Sequence, residues 1–187
     1  MRKAIGVLVT AAACLAMGML QFKEPANAGS APSVVPAFTH SNQNDWLNSP
    51  PLSLTSLRDK VVLVEFWTFD CINCLRSIPS IQAIQERFAG KDFQIVSVHT
   101  PELAHERRRA NVVNALKRLE ITYPVMLDTD FSYWNAMNNR YWPAFYLIDK
   151  SGALREIVVG EIRVGDARTA KLEKSISALL GEMNTAK

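Results

Sequence analysis

The sequence is poor in the residues that bind metals or staple small domains, with three cysteines and three histidines among 187 residues. A structural zinc site usually takes four protein ligands, and a disulfide-stapled scaffold needs several cysteine pairs, so neither class fits this chain. The net charge of +3 is too small to indicate nucleic acid or a membrane surface as a partner. Internal repeats and low-complexity tracts are absent, while 48% apolar and 21% charged residues are ordinary values for a globular domain.

The N-terminus has the pattern of a signal peptide. Two basic residues precede an uncharged run at 4–20, and small residues occupy positions 26 and 28, as a signal peptidase site requires. We therefore predict a signal peptide at 1–28, cleaved after Ala28, and export to the periplasm or the extracytoplasmic side of the membrane. One alternative is an uncleaved membrane anchor, since 17 uncharged residues lie at the lower limit for a spanning helix. The other is lipidation at Cys14. A lipoprotein cysteine normally ends the apolar run, but here the run continues past Cys14 to Leu20.

Cleavage would remove Cys14 and leave only Cys71 and Cys74. An oxidising compartment allows these two cysteines to form a disulfide. The loop between them is so short that the bond would restrict the unfolded chain very little, so stabilising the fold is a poor reason to have it. The pair therefore indicates chemistry rather than structure.

Hydrophobic periodicity predicts alternating strands and helices. The run VVLVEFW is nearly continuous in apolar residues, as expected for a central strand covered on both faces. The predicted strands are 61–67, 93–99, 123–127, 144–148 and 154–159, and the predicted helices are 71–88, 103–119, 131–137 and 166–180. This order predicts an α/β sandwich whose sheet is parallel in its first part and antiparallel at its end.

The cysteine pair falls at the carboxyl end of the central strand and at the start of a helix, where open α/β sheets place their sites. A helix N-terminus carries partial positive charge and unpaired N–H groups, which lower the pKa of a thiol placed there. Cys71 is therefore the expected nucleophile, and Cys74, almost one turn further on, is expected to resolve a mixed disulfide. Asp70 is expected to cap the helix, and its charge would oppose a thiolate on Cys71.

The segment VVLVEFWTFDCINCLRSIPSI resembles the active-site strand and helix of the thioredoxin superfamily, in particular its TlpA-like and DipZ-like branch of exported or membrane-tethered thiol-disulfide proteins. HTPE at 99–102 and YWPAFYLIDKSG at 141–152 extend the resemblance, which covers about residues 46–180. It implies a redoxin-type domain with a thioredoxin-like three-layer sandwich, in which a central mixed sheet has helices on both faces. We accordingly assign residues 29–45 to a linker and residues 46–187 to the thioredoxin-like domain.

The resemblance also implies roles for residues outside the cysteine pair. Pro143 matches the cis-proline that faces the pair, and the backbone of Trp142 beside it would bind an extended substrate. Glu65 matches the acidic position beneath the pair, which exchanges a proton with the buried cysteine, here Cys74. An acid within an apolar strand is costly to bury unless it is neutral or paired, so the alternative is an outward-facing Glu65 on a sheet edge. Pro79 matches a structural proline that kinks the first helix.

Two positions depart from the family pattern. Ile72 and Asn73 stand between the cysteines instead of Gly-Pro, Pro-His or Pro-Pro, and this dipeptide tunes the redox potential. Asp70 stands where an aromatic residue is common before the first cysteine. The resemblance therefore leaves open the direction of electron flow and docking to the usual reductants.

These features predict an exported thiol-disulfide oxidoreductase that exchanges a Cys71–Cys74 disulfide with client proteins. Reduction is the favoured direction, because a buried acid helps to deprotonate Cys74. No cofactor is implied, and since no second cysteine pair remains, a membrane thiol-disulfide transporter is the expected electron donor. One alternative is a copper or zinc chaperone with His99 as a third ligand. The other is a thiol peroxidase, although the short cysteine spacing fits disulfide exchange better.

Overall fold

The computed structural model describes residues 34–182, so the predicted signal peptide lies outside the described residues. The strands are β1 (Trp46–Leu47), β2 (Val61–Trp67), β3 (Phe93–His99), β4 (Val125–Leu127), β5 (Ala144–Ile148) and β6 (Leu154–Val159). The helices are α1 (Ile72–Arg87), α2 (Arg109–Arg118), α3 (Ser132–Ala136) and α4 (Ala167–Gly181). Within the described part of the chain, no helix has the length and apolar character that crossing a membrane would require.

The strands form one mixed sheet in the order β1-β4-β3-β2-β5-β6. Strands β2, β3 and β4 are parallel neighbours, because α1 and α2 carry the chain back across the sheet between them. Strand β5 pairs antiparallel with both β2 and β6. The turn between β5 and β6 contains Gly152 at φ 84°, a conformation that glycine adopts without strain. The predicted α/β sheet, parallel first and antiparallel at its end, is confirmed.

Strand β2 lies at the centre of the sheet and is buried along its whole length. Successive side chains of a strand point to opposite faces. Accordingly, Leu63 and Trp67 pack with apolar residues of α1 and α4, while Val64 and Phe66 belong to a second, more aromatic cluster. Cys74 lies within the first cluster. The cysteine pair thus follows closely after a fully buried central strand, and Cys74 is itself part of the core.

The predicted helix at 103–119 is wrong in its first part. Ala104–Arg107 is a 3₁₀ helix, and Arg108 has the extended conformation (φ −82°, ψ 113°) before α2 begins. The Glu106 carboxylate accepts hydrogen bonds from the N–H groups of Glu102 and Leu103, which holds this segment in a separate turn. A local periodicity cannot reveal such a side-chain interaction, so the prediction from sequence placed the start of the helix too early.

Part of the segment predicted as a linker, 29–45, packs against the domain. Val35 is 7% exposed and belongs to the aromatic core cluster, against which Phe38 packs. The Phe38 ring contacts the rings of Trp46 and Tyr133, at centroid distances of 5.7 and 5.2 Å. Val35 and Phe38 therefore contribute to the packed core, since burial of apolar side chains stabilises the folded state.

Candidate active site

The two cysteines occupy the first turn of α1, immediately after the central strand. Cys71 is the N-terminal cap of the helix, and its Sγ accepts a hydrogen bond from the backbone N–H of Cys74 at 3.4 Å. The Cys71 side chain is half-buried, whereas Cys74 is completely buried, and both are free thiols. A partner in solution can therefore reach Cys71 but not Cys74.

The surroundings separate the acidities of the two thiols. Hydrogen bonding from the Cys74 thiol lowers the pKa of Cys71 to about 7, and backbone N–H groups of Cys74 and Asn73 add to this, while burial and the charge of Glu102 oppose it. Burial above all raises the pKa of Cys74, helped by its bond to Cys71 and by the negative charges of Cys71 and Glu65. Near neutral pH, a substantial fraction of Cys71 is thus ionised to the thiolate, whereas Cys74 keeps its proton.

Glu65 is fully buried in β2, so the alternative position on a sheet edge does not hold. Its Oε2 accepts a hydrogen bond from the Ser97 hydroxyl of β3 at 3.1 Å. Burial raises the pKa of Glu65 to about 7, although the hydroxyls of Ser97 and Tyr123 pull it down. By alternation Glu65 shares the face of Trp67, which is the face covered by α1, and its charge acts on Cys74. The carboxyl group therefore lies on the same side of the sheet as the buried thiol.

The loop before β5 completes the site. The Trp142–Pro143 peptide bond is cis, and the Cys71 thiol lies 3.9 Å from the Trp142 carbonyl oxygen. The indole of Trp142 donates a hydrogen bond to the carbonyl oxygen of Thr100 at 3.0 Å, and its ring lies 4.1 Å from that of Trp134. These contacts fix the loop beside Cys71, so the structure brings Cys71, Trp142 and Pro143 together.

Asp70 does not cap α1, contrary to the sequence-based expectation. The cap position belongs to Cys71, and the Asp70 carboxylate instead lies 2.5 Å from the Nε2 atom of His105. A histidine partner offsets the charge of Asp70 when it is protonated. The carboxylate that raises the pKa of Cys71 is that of Glu102, which follows β3 rather than preceding the cysteine.

Glu106 is a residue of this region that the sequence analysis did not single out. It is 1% exposed, and its carboxylate accepts hydrogen bonds from the backbone N–H groups of Asp70, Glu102 and Leu103, at 3.1, 2.7 and 2.6 Å. It thereby ties the segment after β3 to the residue that precedes Cys71. Its place in a polar, arginine-rich stretch gave no sign of burial, since that stretch looks like a solvated helix face.

His99 lies at the end of β3 but serves as a packed side chain. It is 1% exposed, its ring stacks on Phe69 and meets the edge of Trp67, and its Nε2 lies 3.3 Å from the Thr68 hydroxyl. Burial lowers the pKa of His99 to about 4, so the ring is neutral at physiological pH. His99 is thus a core side chain whose ring packs against aromatic neighbours and contacts a hydroxyl.

A metal clip formed by the cysteines and His99 is not assembled in this structure. Among residues 34–182, the one group of three ligands whose atoms lie within 4.8 Å of one another is His40, Asp128 and Asp130. In that group, Asp128 already accepts hydrogen bonds from the backbone N–H groups of Tyr133 and Trp134, both at 2.9 Å. This carboxylate is therefore engaged in holding the start of α3.

Comparison with known proteins identifies the family. The Redoxin family model matches residues 28–176. Protein DipZ of Mycobacterium bovis is 44% identical over 119 residues, which are 62% of this chain but only 17% of DipZ. Thiol-disulfide oxidoreductase YkuV of Bacillus subtilis is 25% identical over 142 residues, covering 76% of this chain and 92% of YkuV.

Solved structures agree with this assignment. A crystal structure of a thioredoxin-like superfamily protein superposes with a TM-score of 0.71 and 27% identity, covering 81% of this chain and 99% of the other. The thioredoxin-like α/β fold expected from the resemblance is therefore confirmed. Because the family model covers most of the sequence and the fold agrees with it, the chain belongs to the Redoxin family, with a thioredoxin-like fold.

Proposed function

We propose that this protein is an exported thiol-disulfide oxidoreductase that reduces disulfides in client proteins. One observation carries the proposal: a half-exposed thiol with a pKa of about 7, Cys71, is hydrogen-bonded to a buried thiol, Cys74, at a helix N-terminus. This pair has the accessible nucleophile and the shielded second thiol that disulfide exchange needs. The similarity to a thiol-disulfide oxidoreductase, YkuV, supports the same activity.

In the first step, the Cys71 thiolate attacks one sulfur of a client disulfide. A bond forms between Cys71 Sγ and that sulfur while the client S–S bond breaks, and the second client sulfur leaves as a thiolate and takes up a proton from solvent. The extended client segment would lie along the loop at Trp142 and Pro143. The carbonyl oxygen of Trp142 is 3.9 Å from Cys71 Sγ. The mixed disulfide is thus held at the mouth of the site.

In the second step, Cys74 must lose its proton before it can attack Cys71 Sγ. Glu65 is the group proposed to accept that proton, since its pKa of about 7 matches a proton transfer near neutral pH. The Cys74 thiolate then attacks Cys71 Sγ: the Cys71–Cys74 bond forms, the mixed disulfide breaks, and the client sulfur that Cys71 had attacked departs as a thiolate. Two electrons pass from the dithiol to the client, and the Glu65 proton returns to solvent or to the departing thiolate.

The acidity of Cys71 favours reduction over oxidation. A strongly oxidising pair such as that of DsbA has a nucleophile pKa of about 3.5 and a potential of about −120 mV, whereas thioredoxin, with a pKa of about 7, lies near −270 mV. A pKa of about 7 for Cys71 matches the second case, because the reduced pair is stabilised only slightly as a thiolate.

The expected partners follow from the electron balance. Each turnover leaves a Cys71–Cys74 disulfide, and residues 29–187 contain no other cysteine to reduce it. We therefore propose a membrane thiol-disulfide transporter as the donor, with client thiols and disulfides as substrates and no cofactor. Export, or anchoring at the extracytoplasmic face of the membrane, rests on the leader-like pattern at 1–28.

Trapping experiments test the proposal. Cys74→Ser should accumulate mixed disulfides with client proteins, visible on non-reducing gels, because Cys71 can attack but nothing releases it. Cys71→Ser, the matched control, should trap few. The reverse pattern would contradict the assigned roles, and faster consumption of peroxide than of a model disulfide by the wild-type protein would favour a thiol peroxidase instead.

A further inference from the structure

Two buried oxygen atoms near the cysteine pair lack a hydrogen-bond partner of ordinary geometry within residues 34–182. They are Oε1 of Glu65 and the hydroxyl oxygen of Tyr123. Tyr123 is 2% exposed and belongs to the same core cluster as Cys74 and Trp67. An unpaired buried hydroxyl costs free energy, so a state of the site in which it gains a partner is favoured by that hydrogen bond. Such an atom beside a titrating carboxyl group is therefore informative.

The sheet places Tyr123 close to Glu65. Glu65 pairs with Ser97 across β2 and β3, and Ser97 pairs in turn with Val125 of β4. Tyr123 stands two residues before Val125, so it is in line for the same face of the sheet. The backbone N–H of Ser97 also donates a hydrogen bond to the carbonyl oxygen of Pro124 at 2.9 Å, which holds the segment in place.

Glu65 and Tyr123 each shift the pKa of the other. Burial raises the pKa of Tyr123 well above its ordinary value, and the charge and hydrogen bonding of Glu65 raise it further. In return, the Tyr123 hydroxyl lowers the pKa of Glu65, which burial alone would drive higher. Tyr123 therefore keeps its own proton throughout and can act only as a donor to the Glu65 carboxylate.

We propose that Tyr123 is a positioning residue whose hydroxyl donates a hydrogen bond to Glu65 Oε1 whenever Glu65 is ionised, and so keeps that carboxylate available to accept the proton of Cys74. Ser97 supplies the second hydroxyl, on Oε2. With both donors present, each carboxylate oxygen has one hydrogen bond at the moment the buried charge exists. This inference rests on the role given to Glu65 in the proposed function.

The other groups around Glu65 do not supply this stabilisation. From α1 the group that interacts with it is the Cys74 thiol, whose ionisation its charge opposes. From β5 its partner in the sheet is Phe145, which carries no charge. Within the described residues, the side-chain hydrogen bonds that lower the pKa of Glu65 come from the hydroxyls of Ser97 and Tyr123. Removing either one should shift the titration of Glu65 in a defined direction.

The test replaces Tyr123 by phenylalanine, which removes the hydroxyl and keeps the ring. In Tyr123→Phe, the titration midpoint of Glu65, followed by NMR of its side-chain carboxyl carbon, should rise by roughly one pH unit, the worth of one hydrogen bond to a charged group. Reduction of a model disulfide at pH 7 should slow roughly five-fold, and the loss should shrink at higher pH. An unmoved titration of Glu65 would overturn the inference.

A matched control is available on the opposite face of the sheet. Tyr133 also has a buried hydroxyl without a hydrogen-bond partner, but it belongs to the aromatic cluster. Tyr133→Phe should leave both the Glu65 titration and the pH profile of reduction unchanged. If it moved them as much as Tyr123→Phe does, the effect would be a general response to loss of a buried hydroxyl, and the inference would fail.

The wild-type protein and a double variant separate this inference from the proposed function. In a pH titration of the unmodified protein, the NMR signals of the Tyr123 ring should shift with the same midpoint as the Glu65 carboxyl group. This tests the contact even if Tyr123→Phe does not fold. In the Glu65→Gln background, Tyr123→Phe should have no further effect on the pH profile. Wild-type kinetics in Glu65→Gln would overturn the proposed role of Glu65, whereas a slow Glu65→Gln with an unmoved Glu65 titration in Tyr123→Phe would overturn only the role of Tyr123.

Discussion

Glu65→Gln should change how the stability of the protein depends on pH. In the unfolded chain Glu65 has an ordinary pKa of 4.5, and burial raises the pKa to about 7 in the folded protein. Below the unfolded value both states are protonated, so the ionisation of Glu65 does not lower the free energy of unfolding. As the pH rises toward 7, the unfolded chain releases the proton and the folded protein holds it, so the free energy of unfolding falls. Above the folded value the loss is complete and constant.

The size of this loss follows from the pKa difference. Each pKa unit corresponds to about 1.4 kcal/mol, so the buried carboxyl group should cost about 3 kcal/mol of stability at pH 8 relative to pH 4. Glutamine carries no such penalty. The stability of Glu65→Gln minus that of the wild type should therefore increase by about 3 kcal/mol across this range, and most of the increase should lie between the two pKa values.

The assay is denaturant unfolding of both proteins at several pH values. Glu86→Gln is the matched control, since Glu86 is exposed on α1, and its difference from the wild type should stay nearly flat. Comparing variants cancels the titration of shared groups such as Cys71. A difference between Glu65→Gln and the wild type that does not change with pH would refute the argument, because it would mean that Glu65 has the same pKa in the folded and unfolded states.

Two further predictions concern the residues after β3. Glu102→Gln should lower the midpoint of Cys71 alkylation against pH, because the charge of Glu102 raises the pKa of Cys71, and added salt should shrink the difference; a midpoint that rises or stays fixed would contradict this. Glu106→Gln should destabilise the protein by about 2 kcal/mol, because an amide cannot replace a carboxylate that accepts three backbone hydrogen bonds. Its unfolding curve and the amide exchange of Asp70 and Leu103 measure this, and unchanged values for both would count against it.

The sequence was most informative where the signal is local. The continuous apolar run of β2 and the helical spacing after Cys71 predicted the central strand and α1 to within a residue or so, because burial on both faces of a strand and on one face of a helix leaves a periodic trace. The cysteine pair could be located for the same reason, since its chemistry depends on a strand end and a helix start that adjoin it. Glu65 stood out as the one acid within an apolar strand.

The parts that failed depend on contacts distant in sequence. Val35 looked like a linker residue because the core cluster that it joins is built from β2, β3 and the region of α3, which lie far from it in sequence. Aspartate is a common N-terminal cap of helices, but here Cys71 is the cap of α1, and the Asp70 carboxylate contacts His105 instead. Tyr123 was merely the first residue of a predicted strand, and its relation to Glu65 exists only once β4 lies beside β3.

The reduction potential of the Cys71–Cys74 couple tests the central claim most directly. The protein should be equilibrated with dithiol and disulfide buffers of known potential, and the fraction of oxidised protein measured by alkylation of its free thiols. With the pKa of Cys71 at about 7, we predict a potential near that of thioredoxin, about −270 mV. A potential near about −120 mV would contradict the account, because the pair would then oxidise its clients instead of reducing them.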